Sequence, residues 1–303
     1  MNVLVVGGTG FLGSHLVNRL LELGHTVRVF DRCPEQHRSP LAHVDYRIAQ
    51  LDDPFSVAEA LADIDIVYHL ASATVPSTSN RDPIGDVKGN LIATLVLLDQ
   101  MVHAKVQRII YLSSGGTVYG NPLALPISED HQLKPICSYG VVKVAIENYL
   151  FMYHQLYGVN SVVLRPSNLY GPHQRHVGVQ GFISTFLSKL KKGEPLHVWG
   201  DGSVVRDFLY VTDLVDLCIS AGISNVCGVF NAGSGRGYSI SQVADLIANI
   251  TGATPVIHYD LARSFDVREV VLDISKSKQI FGWSPKVSLE CGIRNQWQWL
   301  QDT

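Results

Sequence analysis

The sequence predicts an α/β protein, a doubly wound parallel sheet followed by a smaller C-terminal α+β domain. Three observations lead there. Val3 to Val6 is a continuous apolar run rich in β-branched residues. It ends in Gly7, Gly10 and Gly13, after which Phe11, Leu12, Leu16, Leu20 and Leu23 recur at helical spacing. Strand-like apolar runs then alternate with helical stretches to about residue 170, the pattern of parallel βαβ units. From about Gly171 the loops lengthen and the elements shorten. A chain of 303 residues has room for two domains. We place them at 1–170 and 171–303, with 205–235 returning to the first.

The glycine turn points backbone N–H groups and the positive end of a helix at one spot, which favours a bound phosphate. Glycine suits it because a Cβ would block the turn and the close approach of a pyrophosphate. Thr26 to Phe30 is the second strand, ending at Asp31. That acid stands at the spacing of a carboxylate that accepts from an adenosine ribose. It would repel a 2′-phosphate, so it argues for NAD over NADP, against a small opposing effect of Arg32. Val44 to Ile48 is a third strand, and Pro54 starts a short helix. Ile64 to Leu70 is a fourth strand, followed by the small residues Ala71-Ser72-Ala73. A long helix is expected over 86–103, with Asn90 inside it, then a strand over Gln107–Leu112 and the turn Ser113-Ser-Gly-Gly-Thr117. Every motif so far falls at the carboxyl end of a strand, where doubly wound sheets of the Rossmann type bind ligands.

Composition excludes several classes. Apolar residues make up 46% and charged residues 17%, which fits a folded globular chain. The formal net charge of −3 gives no reason to expect nucleic acid or an anionic membrane surface. No apolar run reaches the roughly 20 residues a bilayer span needs, and the opening strand leaves no room for a signal peptide. The cysteines (33, 137, 218, 227 and 291) lack any C-x-x-C pair and read as free thiols in a reducing cytoplasm. The histidines show no ligand spacing, so no metal is expected.

Ser138-Tyr-Gly-Val-Val-Lys143 opens a helix running to about Tyr157. Tyr139 and Lys143, four apart, share one face. A tyrosine of ordinary pKa near 10 is a poor base at neutral pH. A nearby ammonium and an oxidised nicotinamide would both favour its phenolate.

Here the chain resembles a known family, the extended short-chain dehydrogenase/reductases that act on nucleotide sugars, and within it the UDP-glucose 4-epimerases. The matching motifs are Gly7-Gly-Thr-Gly-Phe-Leu-Gly13, Tyr68-His-Leu-Ala71, Thr117-Val-Tyr-Gly120 and Tyr139-x-x-x-Lys143. They continue through Arg165-Pro-Ser-Asn-Leu-Tyr-Gly-Pro172, Gly200-Asp-Gly-Ser-Val-Val-Arg-Asp-Phe208, Phe230-Asn-Ala-Gly233 and Gly282-Trp-Ser-Pro285. The resemblance spans nearly the whole length.

By that resemblance, Phe11 and Leu12 contact the NAD pyrophosphate, Asp31 the adenosine ribose, and Gln50 with Leu51 the adenine edge, where the family usually carries Asp in place of Gln50. Leu70, Ala71, Ser72, Thr74, Asn90, Ser113 and Ser167 line the cofactor path, and Lys143 also bonds the nicotinamide ribose. For a UDP-sugar substrate, Asn168 matches a diphosphate contact, Trp199 an aromatic near uracil, Arg206 and Arg263 two arginines on the diphosphate, and Asp266 a nucleoside contact. Val270 aligns with a wall of the sugar pocket where a small residue admits N-acetylated sugars. Thr74 replaces a lysine. Members commonly dimerise through a four-helix bundle, which 86–103 and 138–157 could build.

One departure stands out. The family's hydroxyl partner of the catalytic tyrosine aligns with Gly115, which has none. Ser114 ranks ahead of Thr117 as its replacement; a shared proton relay or a water would also serve. Gly116-Thr117 lacks the acids of 4,6-dehydratases and decarboxylating members, so 4-epimerisation of UDP-Glc/UDP-Gal or UDP-GlcNAc/UDP-GalNAc is favoured. A reductase, a dehydratase, a UDP-glucuronate 4-epimerase and a non-catalytic NAD-binding sensor or scaffold are the alternatives. In the C-terminal half, helices are expected over Phe182–Lys192 and Leu289–Leu300, and Ser239 with Gln242 forms a capping box. Trp283, Trp297 and Trp299 read as packing anchors.

Overall fold

The computed structural model describes residues 1–174, 181–261 and 267–303, and the counts and absences given below refer to these. β1 (Asn2–Val6), α1 (Phe11–Glu22), β2 (Thr26–Asp31), β3 (Val44–Ile48), α2 (Pro54–Ala60) and β4 (Ile66–His69) come first. Two single turns, α3 (Pro76–Ser79) and α4 (Pro83–Asp86), precede a π-helical stretch, Val87–Ile92, that runs into α5 (Ala93–His103). β5 (Arg108–Leu112), α6 (Ser138–Tyr157) and β6 (Asn160–Pro166) follow. Then come β7 (Asn168–Tyr170), α7 (Phe182–Lys192), β8 (Leu196–Trp199), β9 (Val205–Tyr210), α8 (Val211–Ile223) and β10 (Gly228–Ala232). β11 (Gly237–Ser239), α9 (Ile240–Thr251), β12 (Ile257–Asp260), β13 (Glu269–Val270), α10 (Ser275–Phe281) and α11 (Leu289–Asp302) complete the chain.

Seven strands form one sheet in the order β10-β6-β5-β4-β1-β2-β3, with every neighbouring pair parallel. This is the Rossmann-type doubly wound sheet the sequence predicts. Alternation along β1 shows why it has two covered faces. Val3 and Val5 join Leu12, Leu16 and Leu20 of α1 and Leu214 and Leu217 of α8. Leu4 and Val6 join Val57 of α2, Leu97 and Met101 of α5, and Val142, Ile146 and Leu150 of α6. Each such side chain, fully buried, contributes roughly 1.5–3 kcal/mol. Strand order reverses between β1 and β4, where Val6 pairs with His69. The crevice beyond that pair is where this topology binds ligands.

Two expectations shift. The helical segment expected over 86–103 is continuous, but its first turns, Val87–Ile92, are π-helical. Gly89, where a Cβ would lie 2.9 Å from Ala73 Cβ, lets the 71–74 loop pack against that turn. Of the segment 205–235, β10 lies in the seven-stranded sheet and α8 packs on its face. β9 instead pairs with β7, β11 and β13 in a smaller sheet. Trp283 anchors the far side: its indole N–H donates to Asp213 O at 2.8 Å, and the ring is buried in the core under α8. The Ser239–Gln242 capping box forms. No helix is long and apolar enough to cross a membrane.

Candidate active site

The turn from β1 into α1 explains its glycines one by one. Gly7 has φ +85°, and a Cβ there would lie 2.7 Å from Ala71 N at the end of β4. A Cβ on Gly13 would lie 2.2 Å from Gly7 O. These two positions need glycine because backbone meets backbone. Gly10 is different: its Cβ would meet only Gly7 O, at 3.3 Å. As N-cap of α1 it offers no side chain to the first-turn N–H groups of Phe11 and Leu12. Those donors and the helix dipole are left for an anion. Asp31 closes the floor. Its carboxylate accepts from Thr9 N–H and Cys33 N–H, both at 3.2 Å, which holds it beside the turn. Arg32 and Gln50 stand exposed at the rim, whereas Leu51, Leu70 and Ala71 are partly buried against the core. Open N–H groups, a fixed carboxylate and an apolar floor suit the pyrophosphate, ribose and adenine of a dinucleotide.

Three expected cofactor contacts have other partners. Asn90, in the π turn, accepts from Ala73 N–H at 2.7 Å and donates to Asp86 Oδ1 at 2.8 Å. Thr74 donates to Asp86 Oδ1 at 2.6 Å. Ser113 donates to Glu147 Oε1 and is buried. Asn90 and Thr74 therefore bind the 71–74 loop to the π turn, and Ser113 binds the end of β5 to α6. Asp86, fully buried, also accepts from Ser138 Oγ at 2.6 Å. Ser72 remains exposed, and Ser167 is buried at the end of β6 on the cavity wall.

The start of α6 is capped from a distance. Its N-cap, Cys137, makes no side-chain cap. Instead Ser138 N–H donates to Asn80 Oδ1 at 2.8 Å and Tyr139 N–H to Ser79 Oγ at 3.1 Å. Tyr139 thus enters the site on a helix end fixed by α3 and the residue after it. The hydroxyls of Ser114 and Ser72 face its phenol closely enough to favour the ionised form, and Ser72 Oγ itself donates to Thr74 O at 2.9 Å. Burial nevertheless pushes the phenol well above its ordinary pKa, aided by Cys137 and Asp86, and the two hydroxyls only partly oppose this. The expected phenolate is therefore not set up by the chain alone. Lys143, buried, donates to Leu112 O at 2.8 Å, with its ammonium 5.5 Å from the Tyr139 ring centre and 4.8 Å from that of Tyr111. Burial lowers its pKa to about 8, opposed by Glu147 and Asp86.

Gly115 turns inward. A Cβ there would lie 2.5 Å from Leu272 Cδ1 and 2.9 Å from Arg165 O, so no side chain fits. Thr117 Oγ1 is buried, has no partner within the chain, and belongs to a residue of the cavity wall. Both hydroxyls expected as replacements, Ser114 and Thr117, belong to residues that line the same cavity as Tyr139.

A cavity of about 960 Å³ extends from these residues between the two sheets. Asn168, Trp199 and Arg206 line it, as the sequence suggests; Asn168 Nδ2 donates to Asp207 O at 3.0 Å, which leaves its carbonyl oxygen for a ligand. Val270 is a correction. It is 2% exposed, packed with Val118, Tyr119, Ile127 and Leu272, and does not line the cavity; Val267 does. β13 places residue 270 opposite Arg206 but turns its side chain into this small core. Arg263 and Asp266 lie outside the described residues. Sequence reading missed Asn80, Arg81, Val267 and Phe208 on the wall and Ser79 behind it. Only Phe208, inside the Gly200–Phe208 motif, carried a signal. No cluster of side chains able to hold a metal occurs.

Comparison with known proteins agrees with this geometry. Residues 3–233 match the model of the NAD dependent epimerase/dehydratase family. A UDP-glucose 4-epimerase of Mycolicibacterium smegmatis is 35% identical over 306 residues, covering 97% of this chain and 96% of that protein. A crystal structure of UDP-glucose 4-epimerase with UDP-glucose from Thermotoga maritima superposes with a TM-score of 0.94 at 36% identity, over 100% of this chain and 99% of that one. A UDP-N-acetylglucosamine 4-epimerase from Methanobrevibacter ruminantium, in complex with UDP-N-acetylmuramic acid, reaches the same TM-score of 0.94 at 27% identity, over 99% and 98%.

Proposed function

The chain belongs to the NAD-dependent epimerase/dehydratase family and its cofactor is NAD; within that family, we propose, it is a 4-epimerase of UDP-hexoses or UDP-N-acetylhexosamines. The observation that carries this reading is that Tyr139, Ser114 and Thr117, whose hydroxyl has no partner among the described residues, line one cavity, with the Lys143 ammonium 5.5 Å from the Tyr139 ring centre. The chemistry NAD supplies when bound is reversible two-electron oxidation at carbon 4 of the sugar. The α1 N-terminus and Asp31 hold the dinucleotide. Tyr139 Oη takes the proton of the 4-hydroxyl and later returns it to the same oxygen; inversion follows because the 4-keto sugar turns its other face to the cofactor before it is reduced again. Its raised pKa means that the resting chain carries a phenol, so positive charge in the loaded site must help free the phenolate. The Lys143 ammonium, fixed on Leu112 O, is one such charge. Thr117 Oγ1 orients the sugar hydroxyl. Arg206 keeps the UDP diphosphate in place while the 4-keto sugar turns over, by charge-assisted bonds; by the same reading Arg263 joins it.

Gly116-Thr117 supports epimerisation over 4,6-dehydration, which needs acids at this turn. A second reading, 4-epimerisation of UDP-glucuronate, is favoured by Arg81, a cation on the cavity wall suited to a sugar carboxylate. Incubation with UDP-Glc, UDP-Gal, UDP-GlcNAc, UDP-GalNAc and UDP-GlcA, with product stereochemistry read by NMR, tests both. Inversion at carbon 4 of a neutral sugar supports the first; inversion of UDP-GlcA alone supports the second. No turnover of any of them overturns both.

The chain also acts, in this reading, as a homodimer. Val141, Phe151, Met152 and Leu156 of α6 and Ile84, Val87 and Ile92 of the preceding helical segment are exposed apolar residues. They supply the apolar faces of the four-helix bundle suggested by the resemblance.

A further inference from the structure

We propose that the buried ion pair of Glu147 and Arg165 is the positioning device of the reaction, setting the Ser114–Thr117 turn against Tyr139. The proposal rests on the epimerase reading above.

Glu147 follows Tyr139 and Lys143 at the same four-residue spacing, so the three share one face of α6. Its carboxylate does not reach the cavity. Oε1 accepts from Ser113 Oγ and from Arg165 Nε at 3.1 Å, and Oε2 accepts from Arg165 Nη2 at 2.6 Å. The two side chains are 6% and 4% exposed. Arg165, on β6, continues the chain of bonds. Its Nη1 donates to Tyr119 Oη at 3.0 Å and to Glu129 O at 3.2 Å. Tyr119 Oη in turn donates to Asn231 Oδ1 at 2.6 Å, and Asn231 Nδ2 to Ile127 O at 2.8 Å.

The consequence is geometric. Ser113 is the first residue of the turn and Tyr119 follows its last functional residue, Thr117. Glu147 holds the first end and Arg165 the second. Lys143 adds a third tie, to Leu112 O. Both ends of the segment bearing Ser114 and Thr117 are thus bound, through one ion pair, to the helix that bears Tyr139. Glycine at 115 and 116 leaves the segment little rigidity of its own. A buried ion pair is weak support for stability, because desolvation offsets the attraction. A fixed register between two reacting groups is a role it serves better.

Two variants test this. Tyr119→Phe removes the far anchor without entering the cavity and keeps the ring volume. The double variant Glu147→Gln with Arg165→Met removes the pair without leaving an uncompensated charge. For Tyr119→Phe we expect kcat to fall about tenfold with KM within twofold and with the acidic limb of the kcat/KM profile moved to higher pH, because Ser114 no longer favours the phenolate. The double variant, where it folds, should lose more. Independently of turnover, amide hydrogen exchange should rise at residues 113–118 of Tyr119→Phe and stay unchanged along α6. Wild-type protein that turns over no UDP-sugar would overturn the function while the exchange experiment still decides the clamp. Exchange unchanged in Tyr119→Phe, or kcat within twofold of an active wild type, would overturn the clamp.

Discussion

Leu272 Cδ1 occupies the space that a side chain at Gly115 would need, 2.5 Å from where its Cβ would lie. Arg165 O, a backbone atom that cannot swing away, stands 2.9 Å from the same point. Restoring the family's hydroxyl at this position is therefore expected to harm the protein. Gly115→Ser should lower stability by about 1–3 kcal/mol, as overpacking does, and should not raise kcat. Urea unfolding and steady-state turnover check the two halves.

In the proposed reading Ser114 supplies the hydroxyl that Gly115 lacks. Ser114→Ala should lower kcat about 10- to 100-fold, the equivalent of one hydrogen bond to a charged group. KM should change little. Thr117→Val, which keeps the shape and removes the unpartnered hydroxyl, should act at least partly on KM, because Thr117 has no partner in the chain for its loss to disturb. Equal, purely kcat effects from both variants would contradict this division.

Lys143 carries a stability cost that can be measured. Its pKa in the folded chain, about 8, lies below the ordinary 10.5. Between these values the unfolded chain binds more protons than the folded one, so stability rises with pH there; below about 8 the full cost of ionising the buried amine is present. Lys143→Met should therefore raise the melting temperature at pH 7, on the order of 2–4 °C, while abolishing turnover. The gain should shrink as pH rises above 8. A gain that grows with pH would refute the assignment.

Arg206 lines the cavity beside Trp199 and Asn168. A diphosphate contact made in ground and transition states alike affects mainly KM. Arg206→Ala should raise KM for a UDP-sugar about 10- to 100-fold, with a smaller change in kcat. Kinetics with the preferred substrate of the panel would show it, and an unchanged KM would remove Arg206 from the substrate site.

Phe151 and Leu156 are among the most exposed apolar residues of α6. Phe151→Glu with Leu156→Glu should convert a dimer to a monomer in sedimentation velocity, with the fold retained by circular dichroism. A wild-type chain that sediments as a monomer would end the dimer proposal.

Much of the fold was legible in short stretches of sequence. The β-branched run ending at Gly7, the helix from Phe11 and the pair Tyr139 and Lys143 are patterns of neighbours along the chain, and local backbone sterics and side-chain spacing determine them. They set the strand–helix alternation, the dinucleotide turn and the face on which the tyrosine and lysine meet. What the sequence could not decide was the direction of individual side chains. Leu272 and Arg165 O fill the space a side chain at 115 would need, whereas Ser114 beside it lines the cavity with Tyr139. Val270 points into a small core with Val118 and Ile127, so the wall residue is Val267. Asn90 and Ser113 are engaged by Ala73, Asp86 and Glu147. The pKa values of Tyr139 and Lys143 follow from desolvation, which exists only once distant elements have closed over them. Local patterns along the chain determine which chemistry-bearing residues it carries and on which elements they ride; packing between residues far apart in the chain decides which of them face one another.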